Sequence, residues 1–264
     1  MVNTGGMRTL IICHEDEVLN RVGMARWLAS FSNLVGVVTI REEAGRMRAR
    51  IRREIRRIGI VRFLDVLAFR LYYKLKLASQ DAAIERKMLA DLETRFPPHQ
   101  AKELITASPN SAESERFMRE AAPDIVIARC KTLLAERIFS IPRIGTFVMH
   151  PGVCPEYRNA HGCFWALSRR DLKRVGMTLL RIDKGVDTGP VFGYYSYPFD
   201  ERTESHITIQ ERVVFENLDA LRGKLEEIYR GEAVPLSTAG RDSAAWGQPW
   251  LTKYLAWKRA AGSE

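Results

Sequence analysis

The sequence predicts an α/β domain built around a mostly parallel, twisted sheet. Short apolar runs rich in β-branched residues recur along the 264-residue chain, and segments with helical spacing separate them. A strand, a helix and a second strand follow one another at the start, as they do where a crossover returns the chain to a parallel strand. Because 46% of the residues are apolar, the chain can bury the core that such a domain needs.

The first unit has the order strand, helix, strand. The run RTLIICHED predicts a buried strand that leads into a polar turn, and residues 18–31 have helical spacing. The run NLVGVVTI then predicts the second strand. This spacing favours a parallel pair of strands joined by one helix.

Four further strands and two helices follow along the chain. The runs DIVIARC, IGTFVMH, GMTLLRID and GPVFGYYSYPF combine apolar, β-branched and aromatic residues, so each predicts a strand. Ser111 and Glu115 are placed as at a helix start, which predicts a helix over residues 111–120. Residues 205–231 carry one apolar stripe and predict a second helix. The tryptophans of the tail predict packing onto the domain, with a homodimer contact as the alternative.

Nearly all of the net charge of +9 lies in one segment. Residues 41–77 contain twelve Lys or Arg against four acids, a net charge of +8. Residues 55–77 predict an amphipathic basic helix. Its apolar face is formed by Ile60, Leu64, Leu67, Leu71 and Leu75, and Arg62, Arg70 and Lys74 lie away from that face. Such a helix can lie on an anionic membrane surface, but we favour a helix docked on the sheet with a solvated basic face.

These features divide the chain into two parts. Residues 1–200 form the α/β domain, with the basic insertion at about residues 41–80, and residues 201–264 form a helical, aromatic-rich extension. No uninterrupted apolar run reaches about 18 residues and the start lacks the features of a signal peptide, so we expect a cytoplasmic protein. The basic segment leaves peripheral contact with the inner membrane face open. No nucleic acid is expected as a partner, because no recognition motif accompanies the charge.

His150 ends one of the predicted strands and is followed at once by Pro151 and Gly152. The C-terminal ends of parallel strands form the crevice where open α/β folds bind ligands, so an imidazole there faces substrate. Asp187, on the Gly-rich turn after the next strand, is the obvious carboxylate to accept the ring N–H and stabilise its charged form. Taken singly, each residue is also a plausible strand-end or turn residue.

The spacing of His, Cys, Asp and Glu residues in the sequence indicates no metal site. The four cysteines contain no CxxC pair, and we interpret them as reduced thiols.

The segment MHPGVCPEYRNAHGCFWAL, followed by VGMTLLRIDKGVDTGPV, resembles the folate-dependent formyltransferases. That family includes the glycinamide ribonucleotide, methionyl-tRNA and nucleotide-sugar N-formyltransferases. The resemblance rests on His150, residues 155–158, Trp165 and residues 187–190 together. It is close over residues 105–195 and looser over the first strand, helix and strand. It implies a Rossmann-like fold and transfer of a formyl group from 10-formyltetrahydrofolate to an amine.

The resemblance also implies roles for three positions. His150 assists proton transfer and Asp187 holds the imidazole, while an Asn two residues before the His helps to bind the oxyanion. Here that position is Val148, which cannot donate a hydrogen bond. Loss of one oxyanion donor typically lowers turnover about 10²–10³-fold. One explanation is a donor from Asn159 or His161. A second is a different reaction of the same pair, either hydrolysis of a formyl group or transfer of another one-carbon or acyl unit, and a third is a binding protein without turnover.

The remaining site residues follow from the same resemblance. The folate pocket is implied at Lys131, Thr132 and Leu133 and at the turn that contains Ile182, Asp183 and Val186. Tyr157, Arg158, Asn159 and His161 are implied to shape the acceptor loop. The turn after the first strand carries Glu15, Asp16 and Glu17 and no glycine, which disfavours a phosphate-bearing ribonucleotide acceptor. The residues after Phe199 are too few for a second barrel domain, so an amino sugar or another small amine, on a nucleotide or lipid carrier, is the expected acceptor.

Overall fold

Seven strands form one mixed sheet in the computed structural model, which describes residues 6–41 and 55–263. They are β1 (Arg8–His14), β2 (Asn33–Ile40), β3 (Glu103–Thr106), β4 (Ile125–Arg129), β5 (Gly145–His150), β7 (Met177–Arg181) and β8 (Val191–Tyr195). Two short strands, β6 (Arg158–Asn159) and β9 (Ala245–Trp246), pair in parallel outside this sheet.

The order of the sheet is β3-β2-β1-β4-β5-β7-β8. The first five strands are parallel, and β7 runs antiparallel to both of its neighbours. The predicted mostly parallel, Rossmann-like sheet is confirmed. Since β1, β4 and β5 are parallel neighbours, their C-terminal ends open on the same edge, and His150 lies there.

Helices cover the sheet and end the chain. They are α1 (Ala25–Phe31), α2 (Ile60–Tyr72), α3 (Ala78–Arg95), α4 (Ala112–Ala121), α5 (Glu136–Phe139), α6 (Gly162–Ser168), α7 (His206–Phe215), α8 (Leu218–Arg230) and α9 (Leu251–Ser263). A π-helical turn, Leu19–Met24, leads into α1, and a second, Tyr73–Leu77, joins α2 to α3. The predicted cap of α4 is present, because the Ser111 hydroxyl accepts the Ser114 N–H at 3.1 Å.

The predicted helix over residues 205–231 is two helices. Asn217 separates α7 from α8, and its side-chain amide donates to the carbonyl oxygens of Ser196 and Val213 at 3.1 and 2.9 Å. In the predicted extension from residue 201, side chains of α7 and α8 join the core cluster that contains β5 and β7. Buried Asp81 of α3 fixes the start of α7 by accepting from Ser205 and Thr208 at 2.7 and 2.9 Å.

The basic insertion is partly described. Residues 42–54 lie outside the described residues, and α2 follows them. The helix packs through Phe63, Val66 and Phe69, and the Phe69 ring lies 5.1 Å from that of Tyr254 in α9. The sequence favours a helix docked on the sheet with a solvated basic face. The helix is docked and its cations Arg70 and Lys74 are exposed, but it docks on α9 and its leucine-rich face also lies in solvent. The leucine-rich face is the exposed one, because α2 has a second apolar face that packs against α9.

Candidate functional site

His150 ends β5, and its ring is held by the loop that follows. The side chain is only 6% exposed, and Nε2 lies 2.8 Å from the carbonyl oxygen of Tyr157. A carbonyl oxygen can only accept, so Nε2 carries a hydrogen and donates it. In the neutral ring Nδ1 is therefore the lone-pair atom that can take up a proton.

Asp187 lies on the Nδ1 side of this ring. Its Oδ2 is 3.6 Å from Nδ1 of His150, which is longer than a hydrogen bond, and it accepts the backbone N–H of Asn159 at 2.7 Å. The predicted ring N–H to carboxylate hydrogen bond is thus not formed, because the ring gives its hydrogen to a backbone carbonyl instead. The carboxylate is near enough to stabilise a proton that arrives on Nδ1.

Two glycines allow the loop to fold back onto His150. A Cβ placed on Gly162 would lie 2.5 Å from the Cα of Gly152 and 2.7 Å from the carbonyl oxygen of Tyr157. A Cβ placed on Gly152 would lie 2.7 Å from Nε2 of His150. The carbonyl that orients the imidazole can reach it because neither position carries a side chain.

Replacing Gly162 by alanine is expected to lower the free energy of unfolding by about 1–3 kcal/mol, because backbone atoms crowd the new methyl group. The matched substitution Gly223→Ala lies in α8, where a Cβ would meet no atom within 4 Å. It is expected to raise the stability by about 0.5–1 kcal/mol, since alanine favours a helix interior. Denaturant unfolding of the two variants measures both values. Equal stabilities would show that the close approach at Gly162 does not constrain the loop.

Arg158 joins the loop after His150 to the turn that carries Asp187. Its Nη1 donates to the carbonyl oxygen of Val186 at 2.8 Å, and its Nε donates to the Ser243 hydroxyl at 3.0 Å. Asn159 has a left-handed backbone with φ of 76°, and its side-chain amide donates to the carbonyl oxygen of Trp246. The Arg158 side chain and the Asn159 backbone N–H therefore tie the loop after His150 to the turn that carries Asp187.

Tyr157 contributes its backbone rather than its side chain. The ring is buried, stacks on Trp246 at 5.9 Å between centroids, and donates its hydroxyl hydrogen to Asp171 at 2.9 Å. Its carbonyl oxygen is the atom that faces His150. The predicted acceptor loop is thus held in place by the aromatic tail.

His161 lies at the end of this loop and lines a cavity of about 190 Å³. Phe69, Arg70, Tyr73 and His206 line the same cavity. Burial, with the positive charge of Lys131, lowers the pKa of His161 to about 4, so its ring is neutral near pH 7. The side-chain amide nitrogen of Gln210 lies 3.4 Å from Nδ1 of His161.

Val148 occupies the strand position two residues before His150, on the same face of β5. It packs beside a small apolar cluster formed by Cys154, Leu180 and Val191, together with Tyr194. The side chain that the resemblance would make an oxyanion donor therefore contributes only apolar surface next to the imidazole.

The two segments implied to bind folate lie opposite each other. Lys184, in the turn before Asp187, forms an ion pair with Glu136 at 3.2 Å, and Leu133, three residues before Glu136, is 69% exposed. The other residues of the first segment are committed to local contacts, since Lys131 pairs with Glu17 at 2.8 Å and the Thr132 carbonyl accepts the thiol hydrogen of Cys130.

The second segment is a tightly bonded turn. The Asp183 carboxylate accepts from the backbone N–H of Gly185 at 2.9 Å and from the Thr188 hydroxyl at 2.7 Å, and Ile182 donates its N–H to the carbonyl of Thr146. Val186 bonds to Arg158 through its carbonyl oxygen. Asp183 therefore shapes the turn, and the ion pair of Lys184 with Glu136 brings this turn near the segment that carries exposed Leu133.

Sequence reasoning missed a charged cluster at the end of β4. Arg129 donates to Asn20 at 2.9 Å and to the carbonyl oxygen of Met149, and its guanidinium lies 3.7 Å from the carboxylate of half-buried Glu211. Burial raises the pKa of Glu211. The sequence signal that could have revealed this cluster is Arg129, a charged residue at the end of an apolar strand. Within residues 6–41 and 55–263, no three His, Cys, Asp or Glu side chains group as metal ligands would.

Comparison with known proteins gives a consistent result. The family model described as formyl transferase matches residues 78–223, more than half of the chain. The sequence is 28% identical over 156 residues to a methionyl-tRNA formyltransferase of Caldanaerobacter subterraneus subsp. tengcongensis, covering 58% of this chain and 49% of that protein. The chain thus spans about half the length of the curated relatives that it matches.

Solved structures show a similar fold. A sugar N-formyltransferase from Shewanella sp FDAARGOS_354 superposes with a TM-score of 0.55 at 13% identity, covering 96% of this chain and 87% of that one. A phosphoribosylglycinamide formyltransferase from Anaplasma phagocytophilum superposes with a TM-score of 0.54 at 14% identity, covering 92% and 100%. At these identities the likeness concerns the fold.

Proposed function

Because the chain belongs to the formyl transferase family, we propose that it transfers a formyl group from 10-formyltetrahydrofolate to an amine of a small molecule. The observation that supports this proposal most directly is the hydrogen bonding of the His150 ring, which determines which of its nitrogens can accept a proton. Its Nε2 hydrogen is bound to a carbonyl, so Nδ1 is free to accept a proton, and the Asp187 carboxylate lies 3.6 Å from that atom. This pair can act as a general base at the open edge of the sheet.

In the proposed reaction, His150 and Asp187 together move one proton from the acceptor nitrogen to the donor nitrogen. The acceptor nitrogen attacks the formyl carbon, and a tetrahedral intermediate with a negative oxygen forms. Nδ1 of His150 takes the proton released by the acceptor nitrogen, and Asp187 stabilises the imidazolium. The bond from the carbon to the donor nitrogen then breaks, and the same proton passes to that nitrogen, so the ring returns to its neutral form.

We assign the missing oxyanion donor to His161. Its ring is neutral near pH 7, and where Gln210 donates to Nδ1 the ring hydrogen is on Nε2, which can donate. Asn159 is the weaker candidate, because its amide already donates to Trp246 and its backbone N–H to Asp187. A neutral imidazole can replace an amide as an oxyanion donor.

The donor is proposed to bind where exposed Leu133 faces the turn of residues 182–187. An apolar side chain at the mouth of a cleft can cover the flat face of a pterin, and the bonded turn offers backbone groups of fixed direction. Lys131 is proposed to contribute to donor binding through its backbone, two residues before Leu133, since its ammonium is paired with Glu17.

The acceptor is proposed to enter the cavity beside His161. Phe69, Tyr73 and His206 give it aromatic walls, and Arg70 gives it a positive charge. A cavity of about 190 Å³ suits one small ring, which agrees with an amino sugar whose carrier, a nucleotide or a lipid, extends past Arg70.

The test is an assay of purified protein with 10-formyltetrahydrofolate, with and without a panel of amino sugars, in which tetrahydrofolate and formate are both measured. Tetrahydrofolate that appears only with an amine is the expected result. Formate released without an amine would mean that the pair activates water instead. Measurable folate binding with neither product would identify a binding protein without turnover.

A further inference from the structure

The outer face of α2 carries an exposed apolar stripe. Its members are 40% to 78% exposed although all are aliphatic, and they are Ile60, Val61, Leu64, Leu67, Leu71 and Leu75. At about 100° per residue these positions fall on one side of α2 and of the π-helical turn that continues it. We call this set the apolar stripe.

The stripe points outward because the opposite face of the helix is fixed. Phe63, Val66 and Phe69 are buried, and Asp65 accepts from the backbone N–H of Thr252 at 3.1 Å and also from its hydroxyl. The guanidinium of Arg62 lies 5.3 Å from the Trp250 ring. Rotation of α2 to bury the stripe would break all of these contacts, so its exposure is built into the packing.

Cations border the stripe. Arg70, Lys74 and Lys76 are exposed on the same stretch, and helical spacing places them along its two edges. Asp65 is the sole acid in the sequence 60–77, and it is bonded to α9. The surface is therefore apolar in its centre and positive at its rim.

We infer that the apolar stripe docks on an anionic phospholipid surface. Aliphatic side chains over a basic rim are what an interfacial helix presents when it lies in the plane of a bilayer and meets acidic headgroups. A second copy of the chain is a poorer occupant, because pairing two identical stripes would bring two positive rims together. Over residues 6–41 and 55–263 the structure contains no helix long and apolar enough to span the bilayer, so the inferred contact is one of the surface.

The position of the stripe gives this contact a function, which rests on the proposed formyl transfer. Val66 and Phe69, on the inner face of the same helix, and Arg70, at the edge of the stripe, line the cavity beside His161. A membrane under the stripe would therefore lie next to the entrance of the proposed acceptor cavity. An amine on a lipid carrier could enter that cavity while its acyl chains stay in the bilayer.

The experiment is sedimentation of the full chain with phosphatidylcholine vesicles that contain or lack phosphatidylglycerol. The wild-type chain is expected to bind the anionic vesicles, to bind neutral vesicles far less, and to be released by salt. The double variant L64S/L71S, which adds no charge and alters exposed positions, is expected to bind anionic vesicles about tenfold or more weakly. Val234→Ser, at a site that is 80% exposed and outside the stripe, is the matched control and should bind as wild type.

Three outcomes would overturn the inference. Wild-type protein that stays in the supernatant with anionic vesicles would do so, and so would a double variant that binds as tightly as wild type. A dimer that L64S/L71S dissociates would instead identify a second copy as the occupant. Formyl transfer to a water-soluble amine is expected to be unchanged in L64S/L71S, so loss of membrane binding and loss of catalysis are distinguishable.

Discussion

Replacing His150 with alanine is expected to lower the rate of formyl transfer by about 10²–10⁴-fold, the contribution of a positioned general acid or base. The reason is that Nδ1 is the one ring atom free to accept a proton, since Nε2 is bonded to the Tyr157 carbonyl. The loss should appear in kcat more than in KM, because proton transfer belongs to the transition state. Steady-state rates of tetrahydrofolate release with a saturating amine measure it.

The matched control is His99→Ala. His99 precedes β3, an edge strand that three other strands separate from β5, and its Nδ1 accepts the Ala101 N–H at 3.3 Å. This variant is expected to keep the wild-type rate. A His150→Ala enzyme with the same rate as His99→Ala would remove His150 from the reaction and with it the proposed mechanism.

The central strands β1, β2 and β4 were predictable from the sequence because their side chains are largely buried on both faces. The run NLVGVVTI coincides with β2, and RTLIICHED contains β1, since continuous apolar residues have no alternative but the interior. The start of α4 was also predictable, because its Ser111 cap depends on adjacent residues. Local chemistry determined these elements.

Other elements depended on contacts that sequence periodicity does not contain. The helix α3 and the strand β3 were not predicted, since α3 has a weakly apolar face and β3 is only four residues long at the sheet edge. The orientation of α2 was mispredicted because it has two apolar faces, and only the docking of α9 decides which of them is buried. The spacing of apolar residues identifies the apolar faces of a helix, but it does not say which of them packs against another element.

The site shows the same division. His150 and Asp187 could be chosen from their places at a strand end and on a turn, and the fold brings their side chains within 3.6 Å. The partner of the ring hydrogen could not be foreseen, because it is a backbone carbonyl seven residues later whose position depends on two close glycines. That carbonyl, rather than Asp187, selects the tautomer and so decides which nitrogen can act as the base.

Replacing His161 with alanine is expected to lower turnover by about 10²–10³-fold, as removal of one oxyanion donor does, while KM for the donor changes little. In that background, adding Val148→Asn is expected to recover part of the lost rate. Val148 is partly buried on the same strand face as His150, so an amide at this position would lie on the side of β5 that carries the proposed general base.

The control for this rescue is Val148→Leu in the same background. Leucine has nearly the shape of asparagine but no hydrogen to donate, so recovery by asparagine alone separates hydrogen bonding from cavity filling. Recovery by both side chains would mean that His161 acts by packing. A His161→Ala enzyme with the wild-type rate would mean that the oxyanion has another donor. If asparagine alone recovers the rate, Val148 is tolerated because His161 has taken over the donor role, and the chain is a formyl transferase with a relocated oxyanion donor.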